Sequence, residues 1–294
     1  GIFTSMHIPE DDAQAYKKRL EKLGACAKAN QLELMVDISG EALERAGYSF
    51  DHLEELIHHG VTGLRMDYHI DNEQSAKASH RIKISLNAST LVEDEIEELR
   101  RMEANFAHLE AWHNYYPRPE TGLDREYFLK QNQWLQKYGL KRVAFVAGDA
   151  QKRLPLRLGL PTLENHRDRH PLAAALELLK DETDEVYIGD GDLVATTIDQ
   201  FENYLQWDKI VLHVENNASA YFTSVLGEHD NRNDQSPGLI RSANARFKKV
   251  EQIHKEHTEK RNKGAVTLDN ELYGRYMGET QVCKKALQAH PNIN

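Results

Sequence analysis

The chain has 294 residues, enough to bury a large core in one big domain with a smaller one following it. Acidic residues outnumber basic ones 47 to 37, giving a net charge of −10. That balance argues against nucleic acid or an anionic membrane surface as a partner, and leaves room for a small phosphorylated ligand in a local basic pocket. The two cysteines, Cys26 and Cys283, are far apart without metal-ligand spacing and read as reduced thiols of a cytosolic protein. No run reaches the length of a membrane span, and the first residues show no signal-peptide pattern.

In chain order, a short apolar strand followed by a polar amphipathic helix recurs seven times. The predicted strands are Gly1–Ile8, Leu32–Ser39, Gly63–His69, Ile82–Ser89, Phe106–His113, Val143–Gly148 and Glu185–Gly189. Predicted helices between them include Asp11–Ala29, Phe50–His59, Glu93–Met102, Glu126–Tyr138 and Leu172–Leu179. Pro9 with Glu10–Asp12 signals a helix start, and Glu93–Glu95 put acid in a first turn, where the helix dipole favours it. Strict alternation without hairpin signals implies parallel strands and right-handed crossovers. A closed β/α barrel needs eight units, so a strand and helix are expected before Gly1. No glycine-rich nucleotide fingerprint follows any strand, which disfavours an open doubly wound sheet and predicts no cofactor. After Gln200 the rhythm changes. Lys209–Glu215 reads as a strand, Asn216–Ser242 as a polar region, Arg246–Lys263 as a solvated helix face, and Ala265–Leu268 and Tyr273–Val282 as further elements. The expected division is a barrel over 1–203 and a small β-rich domain over 204–294.

The carboxyl ends of barrel strands carry the active site. Here they offer His7, Asp37, Asp67, Asn87, Glu110 with His113, Asp149 and Asp190. Any one alone is a weak signal, since Asp after a strand is often a cap or turn residue; for Asp37 and Asp190 that reading has even weight, whereas Asp67, Glu110 and Asp149 lean towards function. Alternation puts Arg65 on the same face as Asp67 and predicts that the two pair. Lys83 sits at the amino end of its strand, the wrong end for a Schiff base. The densest stretch is Leu109–Gly122, in which Glu110, His113, Asn114, Tyr115, Tyr116 and Arg118 stand beside two prolines that fix the backbone. Trp112, Tyr115 and Tyr116 offer flat faces for sugar rings, although Trp112 fits a packed core as well. Basic residues (Lys152, Arg153, Arg157, then His166, Arg167 and Arg169) gather after Val143–Gly148, the seventh strand once a missing first one is counted, and the loops near strands seven and eight often hold phosphate in barrels.

The runs Phe3-Thr-Ser-Met-His-Ile-Pro-Glu-Asp, Met35-Val-Asp-Ile-Ser, Leu86-Asn-Ala-Ser-Thr and Leu109-Glu-Ala-Trp-His-Asn-Tyr-Tyr-Pro-Arg-Pro-Glu-Thr-Gly occur in order in one bacterial family. So do Phe145-Val-Ala-Gly-Asp, Gly159-Leu-Pro-Thr-Leu-Glu, Tyr187-Ile-Gly-Asp and Leu268-Asp-Asn-Glu-Leu-Tyr-Gly-Arg-Tyr-Met-Gly-Glu. Across nearly its whole length the chain resembles the 6-phospho-N-acetylmuramidases. The resemblance implies a TIM barrel, with a strand and helix preceding the point where this chain starts, followed by a small cyclophilin-like β domain. It also implies a cytoplasmic role in cell-wall recycling: hydrolysis of the β-1,4 bond of N-acetylmuramic acid 6-phosphate–N-acetylglucosamine.

Glycosidic cleavage ordinarily needs two carboxyl groups flanking the bond. The residues nominate Glu110 as acid with Asp149 or Asp67 as nucleophile or base, or one carboxylate orienting the substrate's own acetamido group. Arg65 would orient Asp67. Asn87, His113, Asn114, Tyr116 and Arg118 would hold sugar hydroxyls and the lactyl carboxylate, and Arg153 and Arg167 the phosphate. Two other classes stay open at this level: a divalent-metal isomerase or hydrolase using His7, Asp37, Glu110, His113 and Asp190, and a sugar-binding module without catalysis. No metal-ligand spacing supports the metal reading, a phosphorylated disaccharide is the expected partner, and the sequence leaves homo-oligomerisation open.

Overall fold

A computed structural model describes residues 1–6, 13–67, 70–248 and 252–294. His7, the helix-start signal at 9–12 and the predicted strand end at His69 lie outside the described residues. The chain divides into two compact units, Gly1–Ile210 and Val211–Asn294.

The first unit contains seven parallel strands: β1 (Ile2–Ser5), β2 (Leu34–Ile38), β3 (Gly63–Met66), β4 (Lys83–Asn87), β5 (Leu109–Trp112), β6 (Lys141–Val146) and β7 (Glu185–Ile188). They neighbour one another in chain order, as right-handed β/α crossovers dictate. The helices α1 (Ala13–Ala29), α2 (Gly40–Arg45), α3 (Leu53–His58), α4 (Asn72–Ser79), α5 (Glu93–Arg101), α6 (Arg125–Gln136), α7 (Pro171–Lys180) and α8 (Ala195–Trp207) stand between and after the strands. The sheet curls into a nearly closed barrel. Phe3 on β1 packs edge-on against Phe145 on β6, ring centroids 5.1 Å apart, and a Cβ on Gly1 would fall 2.1 Å from the Tyr187 hydroxyl on β7.

Local chemistry sets the helix starts. Ser39, Asp71 and Asp124 accept from Ala42, Gln74 and Glu126 backbone N–H groups, satisfying donors the helix leaves over. Helix α5 has an acidic first turn, Glu93–Glu95, and a basic last turn, Arg100 and Arg101, matching both ends of its dipole. Gly24 and Gly60 let α1 approach the end of α3: a Cβ on Gly24 would lie 1.7 Å from the His59 carbonyl, and Gly60 adopts φ +96°. The apolar side chains of β2–β5 that face outward, such as Val36, Leu64, Ile84 and Leu109, form the main core with the helices.

The second unit holds a three-stranded antiparallel sheet, β8 (Leu239–Arg241), β10 (Thr280–Cys283) and β9 (Val266–Leu268) in that spatial order. Two sequence expectations fail around it. Lys209–Glu215 joins no sheet among the described residues, because its alternating apolar side chains Ile210 and Leu212 reach no core and stay 61 % and 58 % exposed. The charged run opens on a single 3₁₀ turn, Ala245–Phe247, and is not helical over 252–263, where Ile253 is the apolar residue that becomes buried and no apolar stripe exists to seat a helix. Among the described residues no helix is long and apolar enough to cross a membrane.

Candidate active site

Inward-facing residues sort by strand register. Ser5, Asp37, Arg65, Ser85, Glu110 and Lys141 are successive partners across β1 to β6. Barrel strands tilt, so this row descends. Ser5 is the last residue of β1, Glu110 the second of β5 and Lys141 the first of β6. One row therefore starts in the mouth and ends in the floor.

At the mouth, Arg65 donates through Nη1 to Asp37 Oδ1 at 2.7 Å and through Nη2 to the Asn114 side-chain oxygen. Ser5 donates to the other Asp37 oxygen at 3.4 Å. Asp37 and Arg65 are only 3 % and 2 % exposed, and Arg65 Nε has no hydrogen-bond partner among the described residues. A buried pair of this kind contributes little net stability, because desolvation offsets attraction, but it fixes both groups in place. Tyr115 extends the cluster. Arg153 donates to its hydroxyl at 3.3 Å and lies 5.7 Å from its ring centre. Burial pushes the Tyr115 phenol above its ordinary value, with Asp37, Arg65 and Arg153 all close enough to act on it. Its proton therefore stays on at neutral pH and is available to donate to a ligand.

Below the mouth, Phe3, Trp112, Phe145 and Tyr187 fill the barrel with rings at 4.7–6.2 Å separations. Below them lies a floor of charge. Glu110 is 3.6 Å from both Lys83 and Lys141, which also pair with Glu33 and Glu185, and it accepts from Trp112 Nε1 at 2.8 Å. Glu110 thus sits at the amino ends of the strands, away from the mouth in which the sequence reading placed it; the tilt of the row is the reason.

Other expected site residues are held in structural roles. His113 follows β5 but points outward: its Nε2 meets Asn132 of α6 at 2.9 Å, its ring packs 4.5 Å from Phe128, and burial drives its pKa down to about 4. It is fully enclosed, so it does not face a ligand. Arg167 spends its guanidinium on the two Glu164 oxygens, at 2.7 and 2.6 Å, and on the carbonyls of Tyr116, Arg118 and Gly159. It ties two mouth loops together, with no donor left for phosphate. Hydrogen bonds from Arg167, helped by backbone donors, hold Glu164 down at about 2. Asp149 accepts from the Val194 N–H (2.9 Å) and the Thr197 hydroxyl (2.6 Å), fixing the start of α8. Asp190 brackets the loop after β6 by accepting from Gly148, Arg153 and Leu160 backbone N–H groups.

Asp67 directly follows β3, and its N–H donates to the Ile38 carbonyl at 3.0 Å, which sets the ends of β2 and β3 side by side. The partner of Arg65 is nevertheless Asp37, not the Asp67 expected from alternation within one strand. Asp37 and Arg65 are register partners on adjacent strands, a signal present in the sequence once the two strands are aligned. Half-buried Asn87 accepts from the Ser89 N–H at 3.1 Å. Tyr116 is half-buried, and Arg118 is exposed between its two prolines. Among the described residues no three His, Cys, Asp or Glu side chains come together as metal ligands. Glu110, His113 and Asp190 from the metal reading are dispersed to the floor, the helix layer and a backbone bracket.

Comparison with known proteins bears on this arrangement. A crystal structure of a conserved protein of unknown function from Enterococcus faecalis superposes with a TM-score of 0.91 at 51 % identity, covering 100 % of this chain and 80 % of that one. An uncharacterised Bacillus cereus protein (TM-score 0.68, 24 % identity, covering 99 % of this chain and 91 % of that one) shares the fold. No curated protein matches the sequence. Residues 1–203 match the family described as "6-phospho-N-acetylmuramidase, N-terminal" and residues 209–294 match "6-phospho-N-acetylmuramidase, C-terminal". With both halves matched in order, the chain belongs to the 6-phospho-N-acetylmuramidase family.

Proposed function

We propose that this chain is a cytoplasmic glycoside hydrolase that cleaves the β-1,4 bond of N-acetylmuramic acid 6-phosphate–N-acetylglucosamine during cell-wall recycling. The observation that carries the reading is the mouth cluster. A buried carboxylate is held by an arginine, beside a protonated tyrosine and a second guanidinium, and this suits an anionic sugar undergoing acid-assisted cleavage. Asp67 replaces Glu110 as the proposed acid, since it ends the strand next to Asp37 at the carboxyl side of the barrel. In this scheme Asp67 gives its proton to the glycosidic oxygen as the C1–O bond breaks, and N-acetylglucosamine leaves with a free 4-hydroxyl. Asp37, oriented by Arg65, aligns either the attacking water or the substrate's acetamido group at C1. Arg153 with Tyr115 binds the phosphate or lactyl carboxylate, and Asn87, Asn114, Tyr116 and Arg118 face the sugar hydroxyls.

The test is release of N-acetylglucosamine from the phosphorylated disaccharide and from its dephosphorylated counterpart. Turnover of the phosphorylated form should dominate, and Asp67→Asn should lower kcat by about 10²–10⁴ while leaving KM within a few-fold. Tight binding without release would make the protein a sugar-binding module, and equal turnover of both disaccharides would remove the phosphate from the reading.

A further inference from the structure

Two buried hydroxyls flank the segment that follows β5, and the proposed reaction uses neither. Ser89 is 4 % exposed and Thr162 is fully buried; they stand in the runs Leu86-Asn-Ala-Ser-Thr and Gly159-Leu-Pro-Thr-Leu-Glu. Both reach the backbone of Asn114. Ser89 Oγ accepts from the Asn114 N–H at 2.9 Å, and Thr162 Oγ1 donates to the Asn114 carbonyl at 2.9 Å. Each hydroxyl has a further partner that sets its direction. Thr162 Oγ1 accepts from the Phe145 N–H at 2.9 Å. On the Ser89 side, Asn132 Nδ2 donates to the Asp181 carbonyl at 2.9 Å, which turns the Asn132 oxygen towards His113 Nε2, also at 2.9 Å, as an acceptor. Neutral His113 therefore carries its proton on Nε2, and its Nδ1 accepts from the Ser89 hydroxyl at 3.3 Å. The Ser89 lone pairs are left to face Asn114. The Asn114 side-chain oxygen accepts in turn from Arg65 Nη2, and Arg65 Nη1 holds Asp37. One chain of hydrogen bonds thus runs from α6 through His113, Ser89 and Asn114 to the carboxylate at the mouth.

We infer that Ser89 and Thr162 are positioning residues that clamp the Asn114 backbone and, through the Asn114 side chain, aim Arg65 at Asp37. The expected effect on turnover rests on the hydrolase reading, whereas the expected effect on Arg65 rests on the hydrogen bonds alone. The hydroxyls bond Asn114, His113 and Phe145 and not Arg65 or Asp37, so removing one acts on the pair through Asn114. A displacement of about 1 Å at reacting groups costs on the order of 10²-fold in rate, so loss of one clamp should lower kcat by about ten- to a hundredfold.

Release of N-acetylglucosamine by Ser89→Ala, Thr162→Val and Thr162→Ser, measured well below the thermal transition, tests it. The first two should show that fall in kcat with KM within a few-fold. Thr162→Ser keeps the hydroxyl and should stay within about threefold of the parent chain. In an Asn114→Ala background, Ser89→Ala should lower kcat by less than about twofold more, because its route to Arg65 is gone. Thr162→Val takes its place in both backgrounds if Ser89→Ala does not fold. NMR of the arginine side-chain nitrogens needs no turnover: rotation of the Arg65 guanidinium, assigned by comparison with Arg65→Lys, should be slow in the parent chain and faster in Ser89→Ala and Thr162→Val. Unchanged Arg65 rotation, a full additive loss in the Asn114→Ala background, or Thr162→Ser as impaired as Thr162→Val would each overturn the inference. A parent chain that releases no N-acetylglucosamine, with Arg65 still loosened in the variants, would remove the proposed hydrolysis and leave the clamp in place.

Discussion

Replacing Glu110 by Gln separates the floor of the barrel from its mouth. Each Glu110–lysine contact, at 3.6 Å, amounts to roughly 4–5 kcal/mol of gross attraction at an effective dielectric constant of about 20. Desolvation of a carboxylate whose side chain is 8 % exposed cancels most of that. The lysines are not stranded by the change, because Lys83 keeps Glu33 and Lys141 keeps Glu185 at 2.6 Å. The glutamine oxygen can still accept from Trp112 Nε1. The expected net loss is therefore about 1–3 kcal/mol, below the 3–5 kcal/mol typical of a broken isolated pair. For a unit of this size that corresponds to a fall in Tm of about 2–12 °C. Turnover below the transition should stay within about twofold of the parent. Urea denaturation and release of N-acetylglucosamine, measured on the same preparation, check both halves. A loss of turnover beyond a hundredfold with unchanged stability would refute the layered reading and return Glu110 to the reacting bond.

Two pH dependences follow from buried titratable groups. Burial raises the Asp269 carboxyl to about 7, against the smaller opposing effects of Gln281 and Arg261. The folded state therefore holds a proton that the unfolded chain releases near pH 4, so stability is full below that pH and declines as pH rises through 7. The decline should be about 3 kcal/mol between pH 5 and 8, and Asp269→Asn should flatten it in urea titrations at the two pH values. His113 carries the opposite dependence. Its pKa is lowered to about 4, so its contribution is present above the unfolded value near 6.5 and is lost as pH falls towards 4, at up to about 1.4 kcal/mol per pH unit. In an Asp269→Asn background, His113→Gln should remove that slope between pH 6.5 and 5, and persistence of the slope would assign it to another group.

Much of the barrel is legible because parallel strands covered on both faces read as short apolar runs, and the helix after β4 announces itself through the acids at 93–95. The predicted strand Phe106–His113 starts three residues early, because the 3₁₀ turn Phe106–His108 precedes β5, and this places Glu110 too far up the barrel. The site was harder to read. Alternation states which residues face inward, but the height of each one depends on the stagger between strands, which no single strand encodes. Hence alternation alone pairs Arg65 with Asp67 on its own strand, whereas its partner Asp37 stands across the ladder. Arg167 and Asp190 have the residue types of ligand-binding groups. Only the carbonyls and N–H groups around them reveal that loops, not ligands, consume their hydrogen bonds.

The three layers also bear on the chemistry proposed for the mouth. Phe3, Trp112, Phe145 and Tyr187 separate the Asp37–Arg65 pair from the floor, so the two charged layers cannot exchange partners. The rings also keep water from reaching the pair from below, and charge interactions there are stronger than they would be in an open cleft. Arg65 is held at Nη1 by Asp37 and at Nη2 by Asn114, from β2 and the segment after β5, so its orientation is set before any ligand arrives. In the proposed reaction a carboxylate fixed in this way would lose little freedom when a sugar binds, and that preorganisation would let a buried pair of modest net stability contribute to cleavage. The floor has the complementary role. Glu33, Lys83, Glu110, Lys141 and Glu185 link the amino ends of β2 and β4–β7 by charge, bracing the strands whose other ends carry the proposed site.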